Sequence, residues 1–505
     1  MLLYMKRLTL HLTFLAVVAA HSSCTNLEEK PIGLLAPESF FKSPGDVEAA
    51  IMGAYAEYAA VAIYSNTFAM TIMVRSDMVD IGDRNTSADR IQVNEFSIDP
   101  SNNNISEAWD AFYRSISAAN TAIQGAKSIN ADEKIKKKLE AEARFIRAHS
   151  YFQLVRMHGA VPYLDRPVES AAALDSASRT PANVIYNHIE ADLKFAKENL
   201  PDQQPGGVRN RATSGSAATE LVDVYLTLKM FDKAAQESRY VIGKAGAYGY
   251  ELEKNYQDLF NGDLANRLRE PIFNIDWQNG FTDYPYQADW LAVHTRIKDY
   301  KPRSTSIVVP SLAVYNSWDG RDYRKRVSFE DSVVINGKLT ALTDTKFTAP
   351  RPHIAKYFRY PGPQEAGNDR RTDNDYHIYR YADLLLMAAE AIAESEGAKA
   401  EAIGYVNQVR KRARFNGKTE TKFPADIPAT VGKTELIQII REERRLELAF
   451  EMKRWFDIQR WGILKEVFEG ANSLEPHKVD PARDYLFPIP QTEIDVTRFK
   501  QNPGY

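Results

Sequence analysis

The chain has 505 residues, of which 44% are hydrophobic and 26% are charged, so it can bury a large core and is not broadly disordered. Its formal net charge of −3 leaves no electrostatic footprint for nucleic acid. One cysteine excludes an intramolecular disulfide, and 11% aromatic residues have to lie in the core, on a binding surface, or in both.

The first 23 residues have the pattern of a secretory signal peptide. Lys6 and Arg7 form a positively charged start, and an apolar stretch follows from Leu8 to Ala20. Beyond this segment no apolar run of the sequence is long enough to span a bilayer. We therefore expect an exported protein that is soluble apart from any anchor.

The only cysteine, Cys24, lies where this signal ends. Ser22 and Ser23 precede it, which resembles a bacterial lipobox, in which the cysteine is lipidated and becomes the mature N-terminus. His21 departs from that pattern, and the alternative is an ordinary signal peptide with an incidental cysteine. Glu28 and Glu29 look like the acidic tag that directs such lipoproteins to the cell surface. Residues 24–37 are expected to be a tether.

The region 38–249 is predicted to be helical, with one exception. Helices are expected over Ser43–Tyr58, Trp109–Ile129, Glu133–His158 and Thr180–Leu200. The exception is Met70–Ile105, which is rich in Asp, Asn and Arg and has little periodicity. A loop this long inside a domain is usually functional or disordered.

Two further segments each read as a pair of helices around a short break. They are Ser214–Lys244 and Tyr379–Arg412, and both have small residues where the two helices would cross. Paired helices of this kind resemble tetratricopeptide repeats, which stack into a solenoid. We therefore predict a mainly α-helical protein built on a helix-pair solenoid, with a C-terminal helical part over residues 362–505.

The region 250–361 breaks the helical pattern and is predicted to be an irregular, partly β subdomain. Strands are expected at Ile272–Trp277 and at Val327–Gly337, the second with a turn at Asn336-Gly337. Between Trp277 and Tyr300 the aromatic residues lie among Gly, Pro, Asp, Asn and Gln without a clear period. A sugar site needs flat aromatic platforms beside polar groups, and this stretch supplies both. The alternative is that these rings pack the subdomain against the solenoid.

One long helix is predicted over Thr434–Gly462, near the C-terminus. Glu443, Glu447 and Glu451 stack there at a spacing of four residues, which disfavours an isolated helix. We infer that they find partners on other segments. Arg144 and Arg147 are the hypothesised partners.

Four segments resemble those of the SusD/RagB family of surface nutrient-binding lipoproteins, in the order in which they occur in that family. They are EARFIRAHSYFQLVRMHGAVPYL (142–164), YRYADLLLMAAEAIAE (379–394), ERRLELAFEMKRWFDIQRWG (443–462) and the tail from YLFPIPQTEI (485–494) to QNPGY (501–505). The resemblance implies an outer-membrane lipoprotein that binds an oligosaccharide. It also implies that the ligand passes to a TonB-dependent, SusC-like transporter.

The resemblance also points to the candidate ligand-binding residues. In the family the region around residues 70–105 contributes to the ligand-facing surface, and ligand-binding aromatic residues lie near residues 277–300. The candidates are Asp77, Asp80, Arg84, Trp277, Tyr284, Tyr286, Trp290 and Tyr300. Trp318, Trp455 and Trp461 are expected to be structural.

No catalytic motif and no cofactor-binding motif rises above chance in this sequence. The 9 histidines are scattered and suggest no metal site. Two alternatives to glycan binding remain open. One is peptide capture, as in the RagB branch of the family. The other is an outer-membrane glycosidase, since a catalytic carboxylate pair is defined by geometry rather than spacing.

Overall fold

Helices form most of the computed structural model, which describes residues 40–168, 178–277, 289–301, 303–362 and 372–505. The α-helices are α1 Pro44–Tyr58, α2 Thr67–Val74, α3 Ala88–Asn94, α4 Asn103–Ser128, α5 Glu133–His158, α6 Ala182–Asn199, α7 Ser214–Thr227, α8 Phe231–Gly243, α9 Ala245–Tyr248, α10 Trp290–Thr295, α11 Leu312–Ser317, α12 Tyr323–Ser328, α13 Tyr381–Glu396, α14 Ala400–Ala413, α15 Lys433–Glu447, α16 Arg454–Trp461, α17 Leu464–Glu469, α18 Pro481–Asp484 and α19 Gln491–Thr497. The prediction of a mainly α-helical fold is confirmed. The signal peptide, Cys24 and the tether lie outside the described residues.

A continuous row of packed helices forms the scaffold. α1 packs on α4, and each helix from α4 to α8 packs on the next one in the chain. α8 then packs on α13, although the whole irregular region separates these two helices in sequence. α13 in turn contacts α14 and α15. The row therefore joins the helix pairs predicted on both sides of the irregular region.

Helix α5 shows how local sequence sets the ends of these helices. At its start the Asp132 carboxylate accepts a hydrogen bond from the amide of Lys134 (2.8 Å). At its end Gly159 has a φ of 71°, a conformation that glycine adopts at little cost. The predicted stripe of Ala141, Phe145, Ala148, Phe152 and Val155 is buried, and so is every other residue from Leu139 to His158 except Arg144. The predicted bounds of this helix are confirmed.

In the described part of the chain, each strand pairs with one other strand. The strands are β1 Val79–Ile81, β2 Pro271–Ile275, β3 Val308–Pro310, β4 Phe329–Glu330, β5 Ser332–Ile335, β6 Lys338–Ala341, β7 His353–Ile354 and β8 Tyr376–Arg380. The antiparallel pairs among the described residues are β1–β3, β2–β8, β4–β7 and β5–β6. β2 and the turn at Asn336-Gly337 agree with the sequence prediction. The division of the chain at residues 249 and 361 stays a prediction.

The prediction of a long loop over Met70–Ile105 is wrong in about half of its length. α2, β1 and α3 occupy much of it, and α4 already begins at Asn103. Every residue of α2 is buried, so its sequence has no polar face and no helical period. The remaining elements are too short to show a period.

The prediction of one helix over Thr434–Gly462 is also wrong, because the segment divides into α15 and α16. Between them Phe450 and Met452 have positive φ angles of 67° and 58°. Side chains from other segments donate hydrogen bonds to the backbone carbonyl groups at the break. Arg380 Nη2 donates to Glu447 O (2.7 Å), and Lys356 Nζ donates to Ala449 O (2.9 Å). Tertiary hydrogen bonds therefore replace those of a continuous helix.

Buried charge surrounds this break. The fully buried carboxylate of Glu447 accepts hydrogen bonds from Arg380 Nη1 (2.6 Å), Arg324 Nη1 (3.1 Å) and Arg412. Burial alone would raise its pKa, but the guanidinium groups of Arg412, Arg380 and Arg324 hold the pKa of Glu447 well below its usual range. The other ion pairs of the cluster are Glu443 with Arg324 and Arg410, Asp322 with Arg324, Glu270 with Arg380 and Arg412, and Glu451 with Arg380 and Lys356.

The inference that the glutamate stack has partners on other segments is confirmed, but the named partners are wrong. Arg147 binds both carboxylate oxygens of Asp192, at 2.8 and 2.9 Å. Arg144 pairs with Asp192 (3.3 Å) and with Glu140 on its own helix. Both arginines face α6, because the row of helices places α6 beside α5.

Candidate functional site

Pairing of β1 with β3 brings together two of the segments that the sequence singles out. The two strands are antiparallel, with Val79 opposite Pro310. The pairing continues past β1, where the amide of Asp83 donates to the carbonyl of Ser306 (2.8 Å). We use the name β1–β3 region for residues 77–84, 289–301 and 303–311. This region contains five of the eight predicted ligand-binding residues.

A glycine makes this close pairing possible. A Cβ atom at Gly82 would lie 2.7 Å from Val309 Cγ1 and closer still to the carbonyl oxygen of Ser306. Real Cβ atoms essentially never approach other atoms so closely. The absence of a side chain at residue 82 therefore allows the two segments to meet.

Trp290 is the first residue of α10 and lies half-buried. Asp289 caps this helix, and its carboxylate accepts hydrogen bonds from the amides of Leu291 (3.0 Å) and Ala292 (3.3 Å). Its other oxygen accepts one from Thr372 Oγ1 (2.6 Å). Burial raises the pKa of Asp289 to about 6. The cap holds the backbone of Trp290 on a fixed helix end.

The imidazole of His294 supports the indole of Trp290. The two rings lie 6.0 Å apart with an angle of 29° between their planes. One nitrogen of His294 is 2.8 Å from Asn66 Oδ1, and the other is 3.3 Å from Thr305 Oγ1. These contacts connect α10 to Asn66, which directly precedes α2, and to Thr305, which lies shortly before β3. The tryptophan therefore has a supporting shell, which a ligand platform requires.

Ion pairs border the β1–β3 region. Lys298 Nζ lies 2.6 Å from Asp83 Oδ2, and Arg351 Nη1 lies 2.8 Å from Asp80 Oδ2. Burial would raise the pKa of Asp83, but hydrogen bonding to Lys298 keeps it below its usual value. Tyr300 lies two residues beyond Lys298, with 39% of its surface exposed. The region thus carries an exposed ring close to charged groups.

The structure separates the remaining predicted residues by role. Asp77 is buried and binds Arg454 through both carboxylate oxygens, at 2.7 and 2.8 Å, which points to a structural role. Arg84 is exposed and pairs with Glu95. Trp277 is 5% exposed and packs in the main core, so its ring has almost no surface to offer a ligand. Tyr284 and Tyr286 lie outside the described residues.

Sequence reasoning missed Glu475, which lies against this region from the distant C-terminal segment. Burial, together with the charge of the nearby Asp80 carboxylate, raises the pKa of Glu475 to about 7. Arg351 and His294 were missed as well. A lone charged residue or histidine gives no sequence signal for such a contact, because only the fold brings these residues close.

The arrangement has the groups that bind a sugar. Rings can stack on the apolar face of a sugar, while carboxylates, ammonium and guanidinium groups can bond its hydroxyls. Asp83 is held by Lys298, which keeps this carboxyl group ionised and able to accept hydrogen bonds. In the described parts of the chain, no three histidine, cysteine or carboxylate side chains converge in a way that could hold a metal ion. No helix there has both the length and the apolar character needed to cross a membrane.

The sequence matches two family models. One is described as "SusD family" and matches residues 257–505. The other is described as "Starch-binding associating with outer membrane" and matches residues 27–226. Among curated proteins, "SusD-like protein P2" of Formosa agariphila is 40% identical over 506 residues, which cover 98% of this chain and 99% of that protein.

Solved structures of the same kind share the fold. A SusD homolog from Bacteroides thetaiotaomicron superposes with a TM-score of 0.80 at 22% identity, covering 93% of this chain and 98% of that one. A structure titled "Laminarin binding SusD-like protein" has a TM-score of 0.75 at 24% identity, covering 92% and 100%. At such identities these two support the fold alone. The full-length 40% identity to a SusD-like protein establishes that this chain belongs to the SusD family.

Proposed function

We propose that this protein binds an oligosaccharide or polysaccharide at the outer membrane through the β1–β3 region. The observation that carries the proposal is the pairing of β1 with β3, beside which Trp290 keeps part of its surface exposed and Tyr300 lies exposed two residues beyond Lys298, the partner of Asp83. The description of the family model over residues 27–226, which names starch binding and the outer membrane, supports the same ligand class. The structural neighbour titled as laminarin-binding adds a second glycan to test.

The proposal extends to the membrane anchor of the protein and to its transporter partner. Lipidation of Cys24 anchors the protein to the outer leaflet of the outer membrane, with the solenoid exposed on the cell surface. The captured glycan then passes to a TonB-dependent, SusC-like transporter. A delivery protein has to release its ligand, so we expect micromolar affinity, which corresponds to about −8 kcal/mol.

Titration calorimetry tests the ligand class. The secreted protein with Cys24→Ser is titrated with starch oligosaccharides, laminarin oligosaccharides, further plant, host and microbial glycans, and a peptide digest. A micromolar glycan signal supports the proposal. A peptide signal without a glycan signal supports the RagB-like alternative instead. Chromatography of the glycan after long incubation tests the glycosidase alternative, which predicts products.

The Trp290→Ala variant tests the location of the site. Loss of the ring should weaken glycan binding at least tenfold, or about 1.4 kcal/mol, because a stacked platform disappears. Tyr240→Ala is the matched control, because Tyr240 is also a partly exposed ring (38%) but lies on α8, outside the β1–β3 region. Unchanged affinity in Trp290→Ala, with its circular dichroism and melting temperature preserved, would refute this site.

Cell fractionation tests the anchor and the partner. Wild-type protein should remain with the outer membrane and be degraded by protease added to intact cells, whereas Cys24→Ser should appear in the soluble fraction. Purification of the wild-type protein in mild detergent should retain a large β-barrel protein. Recovery of Cys24→Ser in the membrane to the same extent would contradict lipid anchoring.

A further inference from the structure

A groove near the C-terminus has no role in the proposed function. Its volume is about 470 Å³, and helix α4, the segment after α5 and the last residues of the chain form its walls. None of its lining residues belongs to the β1–β3 region. A cavity of this size is within the range of natural ligand sites. We use the name C-terminal groove for it.

The groove has an apolar floor with fixed geometry. Tyr113 and Leu164 line its surface, and Trp109 and Phe499 lie beneath them with 2% and 9% of their surface exposed. The rings of Trp109 and Tyr113 lie 5.1 Å apart, and the Tyr113 hydroxyl donates to the carbonyl of Pro162 (2.7 Å). Because that bond holds the phenol, the floor is formed before any ligand arrives.

Two carboxylates face this apolar floor. They are Asp110 on α4 and Glu493 on α19. Partial burial raises the pKa of both, and the charge of Asp110 raises that of Glu493 further. Arg114 also lines the groove, but its Nε donates to Glu57 Oε2 outside it (3.1 Å). Its charge also acts on Asp110, where it offsets part of the effect of burial. Two carboxylates and one guanidinium therefore line the groove, which leaves it with a net negative charge.

A cation on an apolar stem complements such a groove. The methylene groups of an arginine or lysine side chain cover aromatic surface while the charged end remains at a polar rim. Apolar surface reaches the rim of the groove at Val168, which is 38% exposed, and continues outside it at Val496, which is 83% exposed. Val496 lies three residues from Glu493 on α19, so the two share one side of that helix. The occupant is therefore larger than one side chain.

We propose that the C-terminal groove binds an arginine or lysine side chain of a partner polypeptide, with apolar residues of that partner covering the flanking valines. The site is separate from the glycan site, so the two proposals can fail independently. Neither Asp110 nor Glu493 takes part in the proposed glycan binding.

The test uses the secreted protein with Cys24→Ser and a short synthetic probe, acetyl-Leu-Arg-Leu-amide. The control probe replaces arginine with citrulline, which has nearly the same shape and no charge. Titration calorimetry should show at least about tenfold tighter binding of the arginine probe, because its charge is paired in the groove. Acetyl-arginine-amide should bind more weakly than the tripeptide, because it leaves the flanking valines uncovered.

Substitutions then locate the binding. Glu493→Gln and Asp110→Asn should each weaken binding of the arginine probe at least about threefold. Asp495→Asn is the matched control, because Asp495 carries the same charge on the same helix but does not line the groove. It should leave the affinity unchanged. Glycan affinity should stay the same in all three variants.

Three results would overturn the proposal. The first is equal affinity of the arginine and citrulline probes, or no binding of either at millimolar concentration. The second is an equal loss of affinity in Asp495→Asn and Glu493→Gln. The third is binding of acetyl-arginine-amide as tightly as the tripeptide, which would indicate a small-molecule site instead of a polypeptide site.

Discussion

Replacement of Glu447 by glutamine should destabilise the protein more than any exposed charge substitution on the same helix. The carboxylate is fully buried and accepts hydrogen bonds from Arg324, Arg380 and Arg412. Glutamine keeps the shape but loses the charge and turns one acceptor into a donor that faces guanidinium groups. Three buried arginines would then share fewer negative partners.

The size of the effect follows from this burial. Removing one partner from a buried ion pair costs about 3–5 kcal/mol, because the remaining charge stays buried without compensation. Glu270, Glu443 and Glu451 still contact these arginines, so we expect the lower half of the range, about 3–4 kcal/mol. At about 2 cal/mol/K per residue, this corresponds to a decrease of about 3–4 °C in the melting temperature of a chain this long.

Urea unfolding followed by far-UV circular dichroism measures this free energy. Glu442→Gln is the matched control on the same helix, because the Glu442 side chain is 51% exposed and pairs only with Arg445 among the ion pairs of the described residues. Such a pair contributes about 1 kcal/mol or less. A Glu447→Gln variant within 1 kcal/mol of the wild type would refute the view that this cluster holds α15 and α16 together.

The same variant has a defined pH dependence. The pKa of Glu447 is lower in the folded protein than in the unfolded chain, where it is about 4.3. Its carboxylate therefore stabilises the protein above about pH 4.3, and that stabilisation is lost as the pH falls through the folded pKa. The difference between wild type and Glu447→Gln should be largest near neutral pH and should shrink below about pH 4.

Two further substitutions test the β1–β3 region. Burial and Asp80 raise the pKa of Glu475 to about 7, so the native state loses stability as the pH rises from about 4.3 through 7. Glu475→Gln should therefore gain stability relative to wild type by about 1 kcal/mol between pH 5 and pH 8, and a constant difference would contradict this. Gly82→Ala should lower both the melting temperature and the glycan affinity, because its Cβ would collide with β3. Gly53→Ala, in the open middle of α1, should leave affinity unchanged and raise stability by up to about 1 kcal/mol.

Much of the helical scaffold could be predicted from the sequence. The apolar period of α5 and the caps at Asp132 and Gly159 lie within one short segment, so its bounds could be read directly. The fully buried helix α2 could not be recognised, because burial on all sides removes the polar face that marks a helix. The break between α15 and α16 was hidden as well, since hydrogen bonds from Arg380 and Lys356 end the helix.

The candidate site was predictable only in part. Trp290 and Tyr300 were predicted to bind ligand from an aperiodic aromatic stretch, and both keep exposed surface in the described structure. Trp277 belongs to the same stretch but lies in the core, because it is only two residues beyond the buried strand β2. The burial of Trp277 depends on how β2 pairs with β8, since its amide donates to Asp375 next to β8, and the residue types do not encode that pairing.

The sequence by itself determined the mainly α-helical class, most helix pairs and the membership of the SusD family, because helical periods, caps and family segments are local patterns. Only the tertiary structure decided which charges meet. Glu447 lies 123 residues from Arg324, and Asp80 lies 271 residues from Arg351. An ion pair requires two side chains to be close in space, and no spacing along the chain specifies that. The same holds for the C-terminal groove, whose walls come from three distant parts of the chain.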